Sequence, residues 1–556
     1  MAGPPAEPID AGPRPARRDP EAACLLCAGL ISVAVSVSVR VLERGPYVSG
    51  WSLVAPTQGH LLASTRPAWS AIREVFYQNR HFWLPFSVYS APYSLIPGYL
   101  GRLWPWEYWV HVLVFVTFCG TLWTILEGAG LPFRAAGILL LGWGASPMLL
   151  SHAVEGYPWA SAFLPHALAL WITTSPSLRR RPLLTLLSAL LVDELSWHVY
   201  ELGRTVAVVF LAGTVLLRDV PRPTRTAWLV AALVQLGEVL FVHPTANINA
   251  FVYQRSSPWP AFHPGLGAVL AGVVAAAKAI ATLELDLPVL LAVGVASFLF
   301  FRRDRRFLVA LLLVQLGLVL LLATFQADQL RPRRFIMVEG YCLVAIAWMY
   351  REASALPRRL LATLLLLGKV WQGSELIGFV PIPFAMGTSF TMPYTYSREG
   401  VGSVTFSHVD WAHALRCEVE KGRRVLLLYN LDCYPENFTN PSGVLERLYL
   451  RLGHERFVHS VFVFGSRSCR YCCLPIHPLG DFGSFLDGVH PGGPTPPAGL
   501  VIYFPTMCKG PGAEHPEVDR LLVELGRRFR LRLTPSPSPV AVRIVIDGEQ
   551  ATAPAS

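Results

Sequence analysis

The stretch PLLTLLSALLVDELSWHVYELGRTVAVVFLAGTVLL (Pro182–Leu217) places a group of charged residues between two long apolar runs. Such runs are typical of membrane spans, where a charged side chain is expensive and is often functional. On a helix, Glu194, His198 and Glu201 share one face. Two interpretations stay open: a polar cap where two spans meet water, or the functional site itself. The ionisable residues here are Asp193, Glu194, His198, Glu201 and Arg204.

The composition of the 556-residue chain is that of an integral membrane protein. Hydrophobic residues make up 53% of it and charged residues 15%, whereas ordinary globular domains carry about 25% charged residues. The formal charge of +10 comes from short basic clusters between apolar runs, as membrane topology produces, so no nucleic-acid partner is expected. Residues 1–21 are rich in Pro, Ala and Arg and are predicted to be a disordered cytoplasmic tail, without the features of a cleavable signal peptide.

The apolar runs predict a polytopic α-helical membrane domain over residues 22–380 with about 11 spans, and twelve or thirteen stay open. Basic residues before the first span and in Ser177–Pro182 and Arg218–Arg225 place the N-terminus and these connectors in the cytoplasm. Residues 43–105 lack a clean apolar run, which predicts a long external loop with short interfacial helices, and Gly265–Leu283 is predicted as an interfacial or re-entrant helix. The predicted spans are Ala22–Leu42, Trp106–Leu126, Ala135–Ser151, Ala160–Thr174, Pro182–Val192, Thr205–Leu217, Thr226–Val242, Leu287–Phe301, Phe307–Phe325, Phe335–Tyr350 and Leu360–Phe379.

The last third of the chain has a different composition. It is polar with β-type runs, which predicts an extracytoplasmic α/β domain over residues 381–546 and a disordered tail over 547–556. An even number of cysteines favours disulfides outside the cytosol, and zinc binding by Cys469–Cys473 (CRYCC) is the alternative. Strands are predicted at Arg424–Tyr429, Val458–Phe464, Leu500–Phe504 and Val540–Ile546, and a helix at Ser442–Leu452. The cysteines are Cys417, Cys433, Cys469, Cys472, Cys473 and Cys508.

Other charged residues fall in further connections that are predicted to be external. Glu43 follows the first span, and Glu155 follows the third. A carboxylate can accept a proton from an attacking hydroxyl or hold a metal ion, and arginines can bind a phosphate group in a bidentate way. These charges can equally be span-end residues or contacts with lipid headgroups. The turn QADQLRPRR (Gln326–Arg334) adds Arg331, Arg333 and Arg334.

Several common catalytic motifs are missing from the sequence. No Walker A loop, Rossmann glycine fingerprint, H-E-x-x-H or G-x-S-x-G motif stands in a suitable context. ATP-driven transport and serine hydrolysis therefore have no support in the sequence.

This layout resembles the GT-C glycosyltransferases that use polyprenyl-phosphate sugars. The features that carry the resemblance are a single first span, a long aromatic loop with the early acid Glu43, the acid Glu155 in a later external turn, and an external α/β domain. The resemblance implies transfer of a sugar from a lipid-phosphate donor to a glycan, lipid or protein acceptor at the outer face of a bacterial inner membrane. The family commonly carries Asp or Asp-Glu in the first external loop, where this chain has Glu43.

The same resemblance implies roles for the candidate residues. Glu43 or Glu155 would act as the base, with a divalent metal as an open alternative. The cluster Asp193–Arg204 would shape the substrate site. Phosphate binding would fall to Arg331, Arg333 and Arg334.

Two other classes of function stay open. A transporter or flippase for an anionic lipid or solute would use the same charges as a pathway, and a non-catalytic membrane scaffold would not need them. Transporters often show paired broken helices and internal repeats, which this sequence lacks. A closed, lipid-facing cavity with converging acids would favour transfer, a path to both faces would favour transport, and no cavity would favour a scaffold.

Overall fold

The computed structural model describes a helical bundle followed by a mixed β-sheet. Four of the predicted spans lie outside the described residues, except for the single residue Leu360. They are Ala22–Leu42, Ala135–Ser151, Leu287–Phe301 and Leu360–Phe379. Isolated positions and short pairs apart, the described residues are 54–81, 91–101, 106–128, 162–199, 205–238, 305–325, 336–352, 413–429, 448–465, 477–478, 500–505, 516–534 and 541–549.

The predicted first external loop contains three short helices. They are α1 (Val54–Thr65), α2 (Ala68–His81) and α3 (Ala91–Leu100). Helices α1 and α3 cross closely at Gly59 and Gly98, because a Cβ atom on either glycine would overlap the backbone of the other helix. The prediction of short helices in this segment is confirmed.

The bundle is built around one continuous apolar core. Its helices are α4 (Trp106–Gly128), α5 (Leu164–Thr174), α6 (Pro176–Arg179), α7 (Pro182–Val199), α8 (Ala207–Leu216), α9 (Arg222–Gly237), α10 (Arg305–Phe325) and α11 (Ile336–Glu352). Helix α7 packs against α5 and α9, α8 packs against α9 and α10, and α10 packs against α11.

No helix within the described residues combines the length and the apolar character needed to cross a membrane. The predicted count of about 11 spans stays a prediction.

One helix boundary differs clearly from the prediction. The predicted span Pro182–Val192 ends where the charges begin, but α7 continues to Val199. Neighbouring helices bury Asp193, Trp197 and His198, so the polar residues extend the helix instead of marking its exit into water. The charged stretch is thus partly the last turns of a packed helix.

Helices α7 and α9 run parallel, so the basic and the acidic residues at their ends lie at opposite ends of the bundle. Near their first turns, the Thr224 hydroxyl of α9 donates at 2.7 Å to the carbonyl oxygen of Arg179, which ends α6 three residues before α7 begins. At their last turns, Trp197 donates to Glu238 at 3.1 Å. The two basic connectors therefore meet at one end of the bundle, named here the arginine end, and the acids lie at the other, the acidic end. This arrangement agrees with the predicted placement of both connectors on one side.

The sheet has six strands in the order β3-β2-β1-β4-β6-β5. Strand β1 pairs in parallel with β2 and β4, whereas β6 pairs antiparallel with β4 and β5. Val425, Leu426 and Leu427 are consecutive and all buried, which is typical of a central strand covered on both faces. The elements are β1 (Arg424–Tyr429), α12 (His454–Ser460), β2 (Val461–Gly465), β3 (His477–Pro478), β4 (Leu500–Pro505), α13 (Pro516–Arg528), β5 (Phe529–Thr534) and β6 (Ala541–Glu549).

Most predicted strands are confirmed, with shifts at their ends. Strand β2 begins at Val461, because Val458–Ser460 belongs to α12. Strand β6 extends to Glu549 and so includes the first residues of the predicted tail 547–556. Helix α13 and strand β5 were not predicted. Residues 448–452 of the predicted helix Ser442–Leu452 are helical, and the rest lies outside the described residues.

The cysteine prediction is wrong for the one cysteine of the set that the structure describes. Cys417 carries a free thiol, with its Sγ atom 3.8 Å from Nε2 of His413. The other members of the predicted set, Cys433, Cys469, Cys472, Cys473 and Cys508, lie outside the described residues.

Candidate functional site

The last turns of α7 carry three of the predicted site residues. Asp193 and His198 are buried, with 4% and 5% of their surfaces exposed. Glu194 is partly exposed and lies one turn before His198, with Oε1 of Glu194 and Nε2 of His198 3.1 Å apart. The predicted shared face of Glu194 and His198 is confirmed by this contact.

Helix α9 supplies polar partners that the sequence did not single out. The Trp197 indole donates to Oε2 of Glu238 at 3.1 Å. The Gln235 amide donates to the Ser196 hydroxyl at 3.2 Å, and this hydroxyl donates to the Asp193 carbonyl oxygen at 2.6 Å. These bonds hold the last turns of α7 and α9 in a fixed register, so the side chains of the acidic end are positioned by two helices.

The carboxylate of Asp193 stands out within this arrangement. Within the described part of the chain, neither of its oxygens has a hydrogen-bond partner. The negative charge of Glu238 also acts on it unfavourably. A buried carboxylate without a partner is costly, so a ligand that brings a hydrogen-bond donor or a cation to Asp193 would bind favourably.

A second buried polar network joins three elements of the bundle. His166 of α5 is completely buried, with Nδ1 2.6 Å from the Tyr341 hydroxyl of α11 and Nε2 3.0 Å from the Thr205 hydroxyl. The Phe163 ring meets the Tyr341 ring edge-on at 5.2 Å and also covers Gly340. This network fixes Thr205, which follows directly after the predicted site residue Arg204.

The helices of the first loop also pack against the bundle. Helices α2 and α3 both contact α7, and α12 of the sheet region contacts α1. The first loop therefore lies against the helix that carries the charged stretch.

The structure does not test the remaining predicted site residues. Glu43 and Glu155, the predicted bases, lie outside the described residues, as do the arginines predicted to bind phosphate. That these side chains lie at one site with Asp193 stays a prediction. The untested residues are Glu43, Glu155, Glu201, Arg204, Arg331, Arg333 and Arg334.

Several polar residues of the site were missed because they lie inside apolar runs with few other polar residues. His166, Tyr341 and Glu238 each fall within a predicted span. The signal was available, because an isolated ionisable residue in a span is itself a candidate functional residue. In this part of the sequence, only the clustered charges of Asp193–Arg204 were predicted to be site residues.

The described residues do not by themselves form a metal centre. Among them, no group of three or more His, Cys, Asp or Glu side chains is placed to hold an ion. Divalent cations with oxygen ligands require more groups than Asp193 and Glu238 supply. The predicted divalent metal would need ligands from residues 43 or 155 or from the substrate.

Comparison with known proteins gives a likeness in structure only. No protein-family profile matches the sequence, and no curated protein is significantly similar to it. Two crystal structures of ArnT from Cupriavidus metallidurans match 94% of this chain and 97% of their own, at 12% sequence identity. The TM-score is 0.48 for ArnT bound to undecaprenyl phosphate and 0.46 for the apo state. At this level the likeness assigns no role to any residue.

Proposed function

We propose that this chain is a membrane glycosyltransferase that moves a sugar from a lipid-phosphate donor to an acceptor. The observation that carries the proposal is the buried carboxylate of Asp193, which has no hydrogen-bond partner among the described residues and feels the charge of Glu238, at the end of a helix that the first loop contacts. This is a place where a polar ligand is needed inside a largely apolar bundle. The residue layout of the GT-C resemblance supplies the reaction type.

The surface of the bundle supports a location in the membrane. Leu183, Leu187 and Leu191 form one stripe along α7 and are 69%, 57% and 70% exposed. Leu233 of α9 and Leu313 of α10 are similarly exposed. Soluble monomers rarely expose contiguous apolar surface on this scale, whereas lipid tails would cover it.

The acidic end suits a sugar better than an apolar ligand. Sugar hydroxyl groups donate hydrogen bonds, and Asp193 and Glu238 supply carboxylate oxygens that accept them. His198 and Glu194, one turn away, could orient the same ligand. In this proposal, the side chains at the end of α7 bind and position the sugar and do not form or break bonds.

The transfer step requires a base and a phosphate-binding group. A hydroxyl oxygen of the acceptor attacks the anomeric carbon, and the bond from that carbon to the donor's phosphate oxygen breaks. The hydroxyl proton passes to Glu155 or Glu43, and the polyprenyl phosphate leaves with the bonding electrons. Arg331, Arg333 or Arg334 neutralises the leaving phosphate.

The test uses full-length protein reconstituted into vesicles. Undecaprenyl-phosphate sugars, labelled in the sugar, are offered with a panel of glycan, lipid and peptide acceptors. The proposal expects protein-dependent loss of the donor, with equal amounts of free undecaprenyl phosphate and labelled product. Intact donor that moves between leaflets, measured by protection from an external periodate reagent, would instead show a flippase. An intact donor that does not move would contradict both functions.

A further inference from the structure

The arginine end of the bundle is strongly positive. Two connectors meet there, Ser177–Pro182 and Arg218–Arg225, and their one carboxylate, Asp219, pairs with Arg179 at 3.5 Å. The carbonyl oxygen of Arg179 also accepts a hydrogen bond from the Thr224 hydroxyl. These two contacts bring the connector before α7 against the connector before α9. The remaining arginines gathered there are Arg180, Arg181, Arg218, Arg222 and Arg225.

These five guanidinium groups lack protein partners in the described structure. Arg180, Arg181 and Arg222 are exposed, and so is Arg218. Arg225 is partly buried, and its Nε atom is shielded from solvent without a hydrogen-bond acceptor in the described part of the chain. The first turns of α7 and α9 hold no acidic residue that could compensate this charge. Several positive groups are therefore available to one anionic ligand.

Apolar surface begins immediately beside the arginines. Leu183 and Leu184 lie in the first turn of α7, just after Arg181, and both are exposed. Leu229 and Val230 lie one turn after Arg225 on α9 and are exposed as well. The surface thus presents positive charge at the ends of two helices and exposed aliphatic side chains along their sides. That pattern is complementary to a molecule with an anionic head and apolar tails.

We propose that the arginine end binds an anionic phospholipid, with its phosphate among Arg180, Arg181, Arg218 and Arg222 and its acyl chains along the exposed leucines. Guanidinium groups bind phosphate oxygens in a bidentate way. A headgroup with a net negative charge is favoured over a zwitterionic one, because the cation of the zwitterionic headgroup would be repelled by the arginines. The inference rests on the membrane location in the proposed function but is independent of sugar transfer.

The test measures which lipids stay with the full-length protein. Wild type and the variant R180Q/R181Q/R218Q/R222Q are incorporated into nanodiscs of phosphatidylcholine and phosphatidylglycerol in known proportion. Each protein is then extracted into a neutral detergent, and its bound lipids are counted by mass spectrometry. The control variant removes the same charge from exposed arginines elsewhere in the described structure, namely R73Q/R456Q/R527Q/R530Q.

The wild type and the control should retain phosphatidylglycerol in excess over its proportion in the nanodisc. The arginine-end variant should retain it in bulk proportion, and each single replacement should lower the preference by about fivefold at most. Equal retention by all three proteins would overturn the proposal. Removal of the lipid by inorganic phosphate, but not by chloride at equal ionic strength, would show a site for free phosphate instead. Sugar transfer by the arginine-end variant, assayed separately, distinguishes this outcome from failure of the proposed function.

Discussion

The indole of Trp197 donates a hydrogen bond to the carboxylate of Glu238 across 3.1 Å, joining the last turn of α7 to the end of α9. Trp197 is almost completely buried, whereas Glu238 is only partly buried. The contact therefore places a carboxylate beside Asp193 while part of it still faces outward. It is the clearest single link between the helix that carries the charged stretch and a neighbour.

Replacing Trp197 by Phe should destabilise the bundle. The substitution keeps an aromatic ring but removes the donor to Glu238, and hydrogen bonds to charged groups contribute about 1.5–3 kcal/mol. Thermal unfolding of the purified protein in detergent should show a lower midpoint. The matched control is Trp69→Phe, because Trp69 is 75% exposed. Equal midpoints for the two variants would show that the contact adds nothing.

The buried network around His166 should behave as one unit. Tyr341→Phe removes one hydrogen bond and should cost about 1 kcal/mol, whereas His166→Ala removes two bonds and leaves a cavity, costing about 3 kcal/mol. Because the two side chains share a bond, the double variant should lose at least about 0.5 kcal/mol less than the sum of the single variants. A strictly additive result in unfolding measurements would contradict the 2.6 Å contact.

Two glycines in neighbouring helices should respond oppositely to alanine. A Cβ atom on Gly340 would lie 2.5 Å from the Phe163 ring, whereas a Cβ on Gly317 would meet nothing within 4 Å. Gly340→Ala should therefore lower the free energy of unfolding. Gly317→Ala should raise it by about 0.5–1 kcal/mol, because glycine is unfavourable inside a helix. Shortening the obstacle with Phe163→Leu should restore part of the stability of Gly340→Ala. Similar effects of the two alanines would mean that α5 and α11 do not pack as described.

The helices and strands themselves were largely predictable from the sequence. Long apolar runs gave α10 and α11 within two residues, and the consecutive apolar residues of β1 gave that strand. The predicted span ended at Val192, because charge at Asp193 was interpreted as exit into water, although the spacing of Glu194 and His198 already fitted a helix. Packing against α9, about 40 positions further along the chain, is what buries these last turns.

The candidate site was predictable only in part. The pairing of Glu194 with His198 follows from helical spacing and was expected. The contact of His166 with Tyr341 joins residues 175 positions apart, so local patterns carry no trace of it. Both residues are polar positions within apolar runs, but their partners depend on how the helices pack.

Replacement of the base, which is Glu155 or Glu43 in the proposed mechanism, should abolish sugar transfer without affecting folding. Glu155→Gln and Glu43→Gln each keep the size of the side chain but remove its ability to accept a proton. The variant at the true base should lose transfer by about a hundredfold or more, the range for general base catalysis, while the protein level stays unchanged. The measurement is product formation in the vesicle assay, with the other glutamate variant as the matched control. Full activity of both variants would remove both residues from the proposed mechanism.

The most direct test of the account compares Asp193→Asn with Asp219→Asn, one at each end of the bundle. Asp193 is buried and has no hydrogen-bond partner in the described part of the bundle, whereas Asp219 is 56% exposed and only weakly paired with Arg179. The measurement is kcat/KM for the lipid-phosphate sugar in vesicles, with the unfolding midpoint recorded for each protein. Asp193→Asn should lower kcat/KM about tenfold or more with no loss of stability, because the amide is cheaper to bury but binds sugar hydroxyls more weakly. Asp219→Asn should keep wild-type turnover, and equal turnover by the two variants would contradict a sugar site at the acidic end.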